Sequence, residues 1–290
     1  MKGIAMFLVL AFTTAYSMDV ALSSLLEECR SLSYELLVRS TLIARTLIPA
    51  LSVLGVLRLQ RTGLVEGVKS YGLRLPEPRR VVTAILVPYI AYGAGVLISA
   101  IAGFKLVNPV ERVLELMEIE PRAPLLNLPV VQLAASGIMG ATINALIALG
   151  EEVGWRGFLL DEIAGIGLSP LASAVAVGVV WGLWHAPLIV LFGYNYPHHR
   201  DLVGIAAFTV FCTIWSIILS KLKRIGGLVP CAIAHGTLNA LGSMMILTVD
   251  IEDEMLSMPV GIIGLASSLV ALGSGEIVFR YWKGSCLRRR

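Results

Sequence analysis

The chain has 290 residues, of which 57% are apolar and 15% are charged, and its mean hydropathy is +0.82. Soluble globular proteins carry about 25% charged residues. The composition therefore excludes a disordered chain, a collagen-like fibre, a nucleic-acid-binding surface protein and an ordinary soluble enzyme, and it indicates a polytopic membrane protein. The four cysteines show no CxxC pair or regular spacing, so they indicate neither a disulfide framework nor a zinc knuckle.

Apolar stretches of about 20 residues, the length that a helix needs to cross a bilayer, recur along the whole chain. Helices are the expected spanning structure, because a backbone in lipid must satisfy its own hydrogen bonds. The sequence therefore predicts an all-α polytopic membrane protein of about eight transmembrane helices. The predicted spans are residues 3–25, 41–57, 81–104, 129–150 (with a polar extension to about 163), 169–192, 202–220, 226–249 and 259–279.

Two of these spans depart from the simple pattern. The second is short, contains Arg45 and is interrupted by Pro49. The first resembles a signal peptide, because Lys2 precedes an apolar run and residues 15–17 have the composition of a cleavage site. We interpret it as an uncleaved span, since an even number of helices fits the distribution of charges.

The basic residues predict the orientation, because cytoplasmic loops of membrane proteins carry an excess of Lys and Arg. With the N terminus inside, the predicted inner segments contain 15 of the 23 basic residues and the outer segments contain 6. An acidic cluster at 250–254 falls in an outer loop. Both termini are therefore predicted to be cytoplasmic, in a multi-pass protein of the cell membrane.

Two connecting segments have a pattern of their own. Residues 61–80 are basic and are expected near anionic headgroups, and residues 109–120 predict an interfacial amphipathic helix. We find no repeat and no soluble domain. The sequence predicts a single membrane domain over 1–290, with a motif-bearing catalytic core over 129–249.

A charged cluster, the segment EEVGWR, ends the fourth apolar run. If the helix continues, Glu152 and Arg156 form an i,i+4 ion pair on one face, and Glu151 lies about 100° further round the helix. Two carboxylates beside one cation leave one carboxylate uncompensated, which suits a general base. The residues alone fit equally well a helix end that emerges into water.

Two further polar sites lie inside apolar runs. His185 lies in the segment WGLWHAP, where Pro187 removes the helical donor to the carbonyl of Leu183 and so opens the helix. A lone histidine in a helix is more often a packing residue than a catalyst. His235 and Asn239 share a helix face in the segment HGTLN, and both donate hydrogen bonds. Taken alone, they fit an interhelical clamp as well as a catalytic pair.

Ionisable residues within membrane spans are costly and indicate function by default. At about 1.5 Å per residue, Glu152 and His235 lie near the middle of a hydrocarbon core of about 30 Å. The same estimate places His185 deeper in the membrane than these two residues, unless its helix is tilted. The polar residues of the three segments therefore predict one intramembrane catalytic cavity.

Such a cavity suits hydrolysis by activated water, because the three segments contain no Ser or Cys nucleophile. A carboxylate takes a proton from water with the help of His185, and His235 with Asn239 can donate to the oxygen of a tetrahedral intermediate. A catalytic zinc held by Glu151, His185 and His235 is the alternative. We favour the metal-free scheme and expect no cofactor, because the first segment is not the His-Glu-x-x-His helix of zinc proteases.

The segments EEVGWR, WGLWH and HGTLN, in that order, resemble the three motifs of the CAAX protease and bacteriocin-processing enzyme family. That family includes the type II CAAX prenyl endopeptidases of the Ras-converting type and the abortive-infection and lysostaphin-resistance-like proteins. Its pattern is Glu-Glu-x-x-x-Arg, then Phe-x-x-x-His, then His-x-x-x-Asn/Asp. The resemblance covers about residues 129–249. Trp181 stands where Phe is usual, so an aromatic ring is retained and the larger ring is expected to narrow the substrate cleft.

The resemblance implies a function for each motif residue, in an eight-helix intramembrane fold whose cavity opens toward the cytosol. Glu151 would be the general base that activates water, with His185 as its partner. His235 and Asn239 would form the oxyanion hole. The residues implied to orient and support the site are Glu152 and Arg156.

The function predicted in this way is that of an intramembrane endopeptidase. Its substrate is expected to be a membrane-associated protein, prenylated in some members of the family, cleaved near its C terminus and entering from the cytosolic side of the lipid bilayer. No nucleic-acid partner is expected. The alternative is a non-proteolytic immunity or scaffold protein that keeps the cavity as a binding site. A small-solute transporter fits less well, because the chain shows neither repeated halves nor paired broken helices.

Overall fold

The computed structural model of the protein describes residues 1–28, 40–116 and 129–287. Over these residues the chain forms α-helices and two π-helical segments, and the β-structure is limited to one isolated bridge between Leu106 and Val249. The π-helical segments are Gly140–Asn144 and Val153–Leu159. In chain order the α-helices are α1 (Lys2–Glu28), α2 (Ser40–Thr46), α3 (Ile48–Leu59), α4 (Leu64–Ser70), α5 (Pro78–Ile101), α6 (Pro109–Leu116), α7 (Pro129–Met139), α8 (Ala145–Glu152), α9 (Leu160–Gly165), α10 (Pro170–Trp184), α11 (Ala186–Phe192), α12 (Leu202–Gly226), α13 (Leu228–Thr248) and α14 (Ile262–Leu287).

Six helical stretches among the described residues are long and apolar enough to cross a membrane. They are Lys2–Leu25, Pro78–Ile101, Pro129–Gly165, Pro170–Phe192, Leu202–Gly226 and Leu228–Thr248. Together α2 and α3 supply a seventh, bent by 41°. The prediction of an all-α polytopic membrane protein is confirmed.

Two of the eight predicted spans, the second and the last, do not form a single long apolar helix in the structure. The bend in the second lies just before Pro49, near the start of α3, because proline cannot donate an intrahelical hydrogen bond. The span predicted at 259–279 falls in α14, whose apolar part within the described residues is the shorter stretch Ile262–Glu276.

Helix starts follow the expected capping chemistry. Pro170 opens α10, and the hydroxyl of Ser169 accepts a hydrogen bond of 3.2 Å from the Ala172 amide. The carboxylate of Asp201 caps α12 in the same way, accepting from the Val203 amide at 2.8 Å. The amphipathic helix predicted over 109–120 is present as α6 up to Leu116, and residues 117–120 lie outside the described part.

The chain folds as two compact units. Unit 1 consists of Met1–Pro76 and Leu146–Ala232, and unit 2 contains the described residues of 77–145 and 233–287. The helical stretch Pro129–Gly165 and helix α13 each contain residues of both units.

The main helix pair of unit 1 is α10 on α12, and it packs through glycines. A Cβ atom added at Gly178 would lie 2.5 Å from the Cα of Thr213, and one added at Gly182 would lie 2.5 Å from the Cα of Thr209. Glycines four residues apart allow two membrane helices to touch at backbone distance. They hold α10, which ends next to His185, against α12.

Aromatic rings fill the remainder of the unit 1 core. Trp155, within the second π-helical segment, makes edge contact with Phe7 of α1 at a centroid distance of 5.4 Å and with Trp184 of α10 at 5.6 Å. All three rings are fully buried. They fix the π-helical segment that follows Glu152 against two neighbouring helices.

Unit 2 places α14 along α5 and packs α13 against the first π-helical segment. A Cβ atom at Gly140 would lie 2.5 Å from the Cα of Thr237, and one at Gly236 would lie 2.4 Å from the carbonyl oxygen of Gly140. Asn144 donates to the carbonyl of Gly236 at 3.4 Å. The glycine beside His235 is therefore required for this close approach of two backbones.

Candidate active site

The charged cluster of the first motif is buried in unit 1. Glu151 is 5% exposed, and both Glu152 and Arg156 are 0% exposed. The predicted ion pair is present, with Nη1 of Arg156 at 2.9 Å from Oε1 of Glu152. This burial contradicts the alternative of a helix end that emerges into water.

The two adjacent carboxylates have different partners. Oε2 of Glu151 accepts hydrogen bonds from the indole N–H groups of Trp181, at 2.7 Å, and of Trp155, at 3.4 Å. Hydrogen bonds to a charged acceptor are stronger than neutral ones. Neutral indole donors hold this carboxylate in place without neutralising it, whereas Glu152 receives the guanidinium of Arg156.

Trp181 connects the two halves of the cluster. Its indole donates to Glu151, and its ring lies under the guanidinium of Arg156, with 4.1 Å between Cζ and the ring centroid. A phenylalanine would keep the contact with Arg156 but would lack the N–H. The residue that departs from the family pattern therefore makes the shorter of the two hydrogen bonds to Glu151, a function that the sequence did not indicate.

His185 lies in the turn between α10 and α11 and is buried. Its Nδ1 is 2.8 Å from the carbonyl oxygen of Trp181. Because a carbonyl only accepts, Nδ1 carries the proton, and in the neutral ring Nε2 is the acceptor atom. The ring also contacts Phe208 of α12, at a centroid distance of 4.9 Å, and Tyr194 stacks nearly parallel to it at 6.3 Å.

The predicted opening of the helix next to His185 is confirmed. α10 ends at Trp184, and the Leu183 carbonyl that Pro187 leaves without a helical donor accepts from the hydroxyl of Tyr16 at 2.8 Å. Tyr16 belongs to α1, more than 160 residues earlier in the chain. This partner could not be found from the sequence.

The third motif lies in unit 2, on α13. His235 is 4% exposed, whereas Asn239, one turn later, is exposed. Unit 1 thus holds four of the six predicted site residues, and unit 2 holds these two. The four in unit 1 are Glu151, Glu152, Arg156 and His185.

The positions of the histidine, cysteine and acidic side chains bear on the alternative of a zinc site. Over the described ranges, no three His, Cys, Asp or Glu side chains lie close enough together to hold a metal ion. The zinc set predicted as the alternative includes Glu151, whose Oε2 is already bound by two indoles.

These features define an α-helical membrane protein with charged and histidine side chains buried in its helices. In a comparison with family models, residues 132–241 match the type II CAAX prenyl endopeptidase Rce1-like family. The match contains all three motifs and confirms the resemblance to the CAAX proteases over this segment. A comparison with curated proteins gives no match.

Proposed function

We propose that the protein hydrolyses a peptide bond near the C terminus of a membrane-associated protein, with Glu151 as the general base. The family match supports a CAAX-type intramembrane protease in general. The observation that carries the finer proposal is the contrast between two buried neighbours, Glu152 paired with Arg156 and Glu151 bound by indole N–H groups.

In the proposed reaction Glu151 takes a proton from a water molecule, and the oxygen of that water attacks the carbonyl carbon of the scissile bond. His185 orients the water through Nε2, because Nδ1 is engaged by the carbonyl of Trp181. On the family resemblance alone, His235 and Asn239 are proposed as the donors that stabilise the oxyanion of the tetrahedral intermediate. Collapse of the intermediate breaks the C–N bond, and the proton held by Glu151 passes to the leaving amine.

Glu152 and Arg156 are proposed to support the base. Arg156 pairs with Glu152 at 2.9 Å, so that Glu151, one position earlier, is the carboxylate held by the neutral indole of Trp181. The lipid bilayer is the environment of the reaction, and the substrate is proposed to enter from the cytosolic side.

The test is cleavage of a quenched-fluorescence peptide by purified protein, using one farnesylated peptide and the same peptide without the lipid. Glu151→Gln should lower kcat at least 100-fold, because the amide cannot accept the proton. His235→Ala should lower kcat by about 100-fold, the typical cost of one oxyanion donor. A chelator should leave the rate of the parent protein unchanged.

Two outcomes would contradict the proposal. If Glu151→Gln cleaves as fast as the parent, Glu151 is not the base. If neither peptide is cleaved, while changes within 61–80 abolish the cellular phenotype and Glu151→Gln does not, the protein is the non-proteolytic partner that retains the cavity as a binding site.

A further inference from the structure

A second buried ion pair of unit 1 lies outside the three motifs. Asp19 of α1 is 1% exposed and Arg45 of α2 is 2% exposed. Nε of Arg45 donates to both carboxylate oxygens of Asp19, at 2.9 and 3.0 Å. Burial of an ion pair carries a large desolvation cost, so its stabilising effect is small or absent. The other contacts of the Arg45 guanidinium indicate a second role for the pair.

The free end of the same guanidinium reaches the turn that carries His185. Nη2 of Arg45 donates to the carbonyl oxygen of Trp184 at 2.6 Å, and Cζ lies 3.6 Å from the centroid of the Trp184 ring. The Trp184 ring in turn makes edge contact with the His185 ring, with 5.0 Å between centroids. One planar guanidinium thus binds both the backbone and the side chain of the residue before His185.

The end of α10 needs such support because Pro187 interrupts the helix. The last carbonyls of a helix lack intrahelical donors and require other partners. Here Tyr16 binds the carbonyl of Leu183, at 2.8 Å, and Arg45 binds that of Trp184. Two side chains from the N-terminal part of unit 1 therefore replace the donors that the broken helix does not supply.

We propose that Arg45, held in place by Asp19, is a positioning residue for His185. It fixes the carbonyl and ring of Trp184, and through them the orientation of the imidazole toward the water that Glu151 activates. This inference rests on the proposed function of His185. It adds a requirement from α1 and α2, which lie outside the segment matched by the family model.

The experiment compares variants that separate positioning from folding. The double variant Asp19→Leu/Arg45→Met removes both charges together, so that no buried charge is left unpaired. Arg45→Lys keeps the positive charge but loses the planar guanidinium that binds Asp19 and Trp184 at the same time. The matched control is Ser216→Ala, which removes another buried bond to α10, from the Ser216 hydroxyl to the carbonyl of Ala174 at 2.7 Å.

Steady-state cleavage of the farnesylated peptide and the thermal midpoint are measured for each purified variant. We expect the double variant to lower kcat at least 30-fold with KM within twofold of the parent value. Arg45→Lys should lower kcat by about fivefold to tenfold, and Ser216→Ala by less than twofold. A role in folding alone would instead lower the yield and the thermal midpoint, and leave the kcat of the folded fraction unchanged.

The inference is overturned if the folded double variant keeps kcat within twofold of the parent while Glu151→Gln is inactive. If the double variant does not fold, the Arg45→Lys variant is the test. A kcat of Arg45→Lys equal to that of the parent then overturns the inference. Failure of the proposed function itself gives a different result, since Glu151→Gln would then cleave as fast as the parent.

Discussion

Two adjacent glutamates in one helical stretch meet different surroundings in this protein. Glu152 and Arg156 are fully buried and paired, and Glu151 is turned toward two tryptophans. The difference comes from the roughly 100° of rotation between neighbouring helical residues. Consecutive positions of one motif therefore supply both the proposed base and its proposed electrostatic support.

The first prediction concerns the indole donor to Glu151. Trp181→Phe keeps an aromatic ring under Arg156 but removes the N–H that lies 2.7 Å from Oε2 of Glu151. A hydrogen bond to a charged group is worth about 1.5–3 kcal/mol, so kcat should fall by roughly tenfold or more. KM should change little, because the ring remains.

Trp155→Phe is the matched control, because its hydrogen bond to the same oxygen is longer, at 3.4 Å. We expect this variant to lose less than threefold in kcat. Equal losses in the two variants would contradict the unequal weight that we give to the two donors. Steady-state kinetics on the fluorescent peptide supply both numbers.

Some contacts around the proposed site could not be predicted at this scale, because nothing in the local sequence marks both partners. The motif residues were found because charged and histidine side chains stand out in apolar runs. Arg45 stood out as well, but its partner Asp19 and the acceptor Trp184 are separated from it by 26 and 139 positions. Only the folded chain brings them together.

At the scale of helices, small residues decide how closely neighbours approach. The spacing of Gly178 and Gly182 places both on the face of α10 that meets α12, and neither leaves room for a methyl group. This small-xxx-small pattern was present in the sequence, yet our prediction of α10 rested on hydropathy alone. Such a pattern marks a helix face that another helix can approach closely, but the partner, α12, is known only from the fold.

The second prediction tests this helix pair. Gly178→Ala would put a Cβ atom 2.5 Å from the Cα of Thr213 and 2.9 Å from the Cβ of Ser216. Overpacking of this kind costs about 1–3 kcal/mol, so the thermal midpoint in detergent should fall by several degrees. Gly93→Ala of α5 is the control, because no atom lies within 4 Å of its added Cβ. A midpoint unchanged by Gly178→Ala would show that the helices can separate without loss of stability.

The π-helical segments were not predicted, for a physical reason. A π turn is a rare i→i+5 variation that occurs within an otherwise α-helical stretch. The segment Val153–Leu159 is fully buried and contains both Trp155 and Arg156. Hydropathy locates the span in which the segment lies but contains no information about the wider turn.

For the whole molecule, the strongest constraint is the bilayer. Its thickness sets the length of apolar runs, which is why the all-α polytopic architecture could be predicted from the sequence. The orientation remains a prediction from the charges. It places the segment 61–80 inside and the acidic cluster at 250–254 outside.

The third prediction tests this orientation in intact cells. Single cysteines at Glu252 and at Thr62, both exposed positions, are compared in a background whose four native cysteines are replaced by alanine. A membrane-impermeant maleimide should label Glu252→Cys in intact cells and Thr62→Cys only after the membrane is opened. The reverse pattern would place the termini outside and would require substrate entry from the opposite side.

The two indoles bound to Glu151 have a consequence for spectroscopy. The Nε1–H vibration of tryptophan responds to the strength of its hydrogen bond, and a carboxylate accepts more strongly than a protonated carboxyl group. Trp181 and Trp155, two of five tryptophans in the chain, are therefore optical reporters built into the structure. If Glu151 takes up a proton as proposed, difference infrared or Raman spectra should show a shift of indole N–H bands that is absent in Glu151→Gln, without any added label.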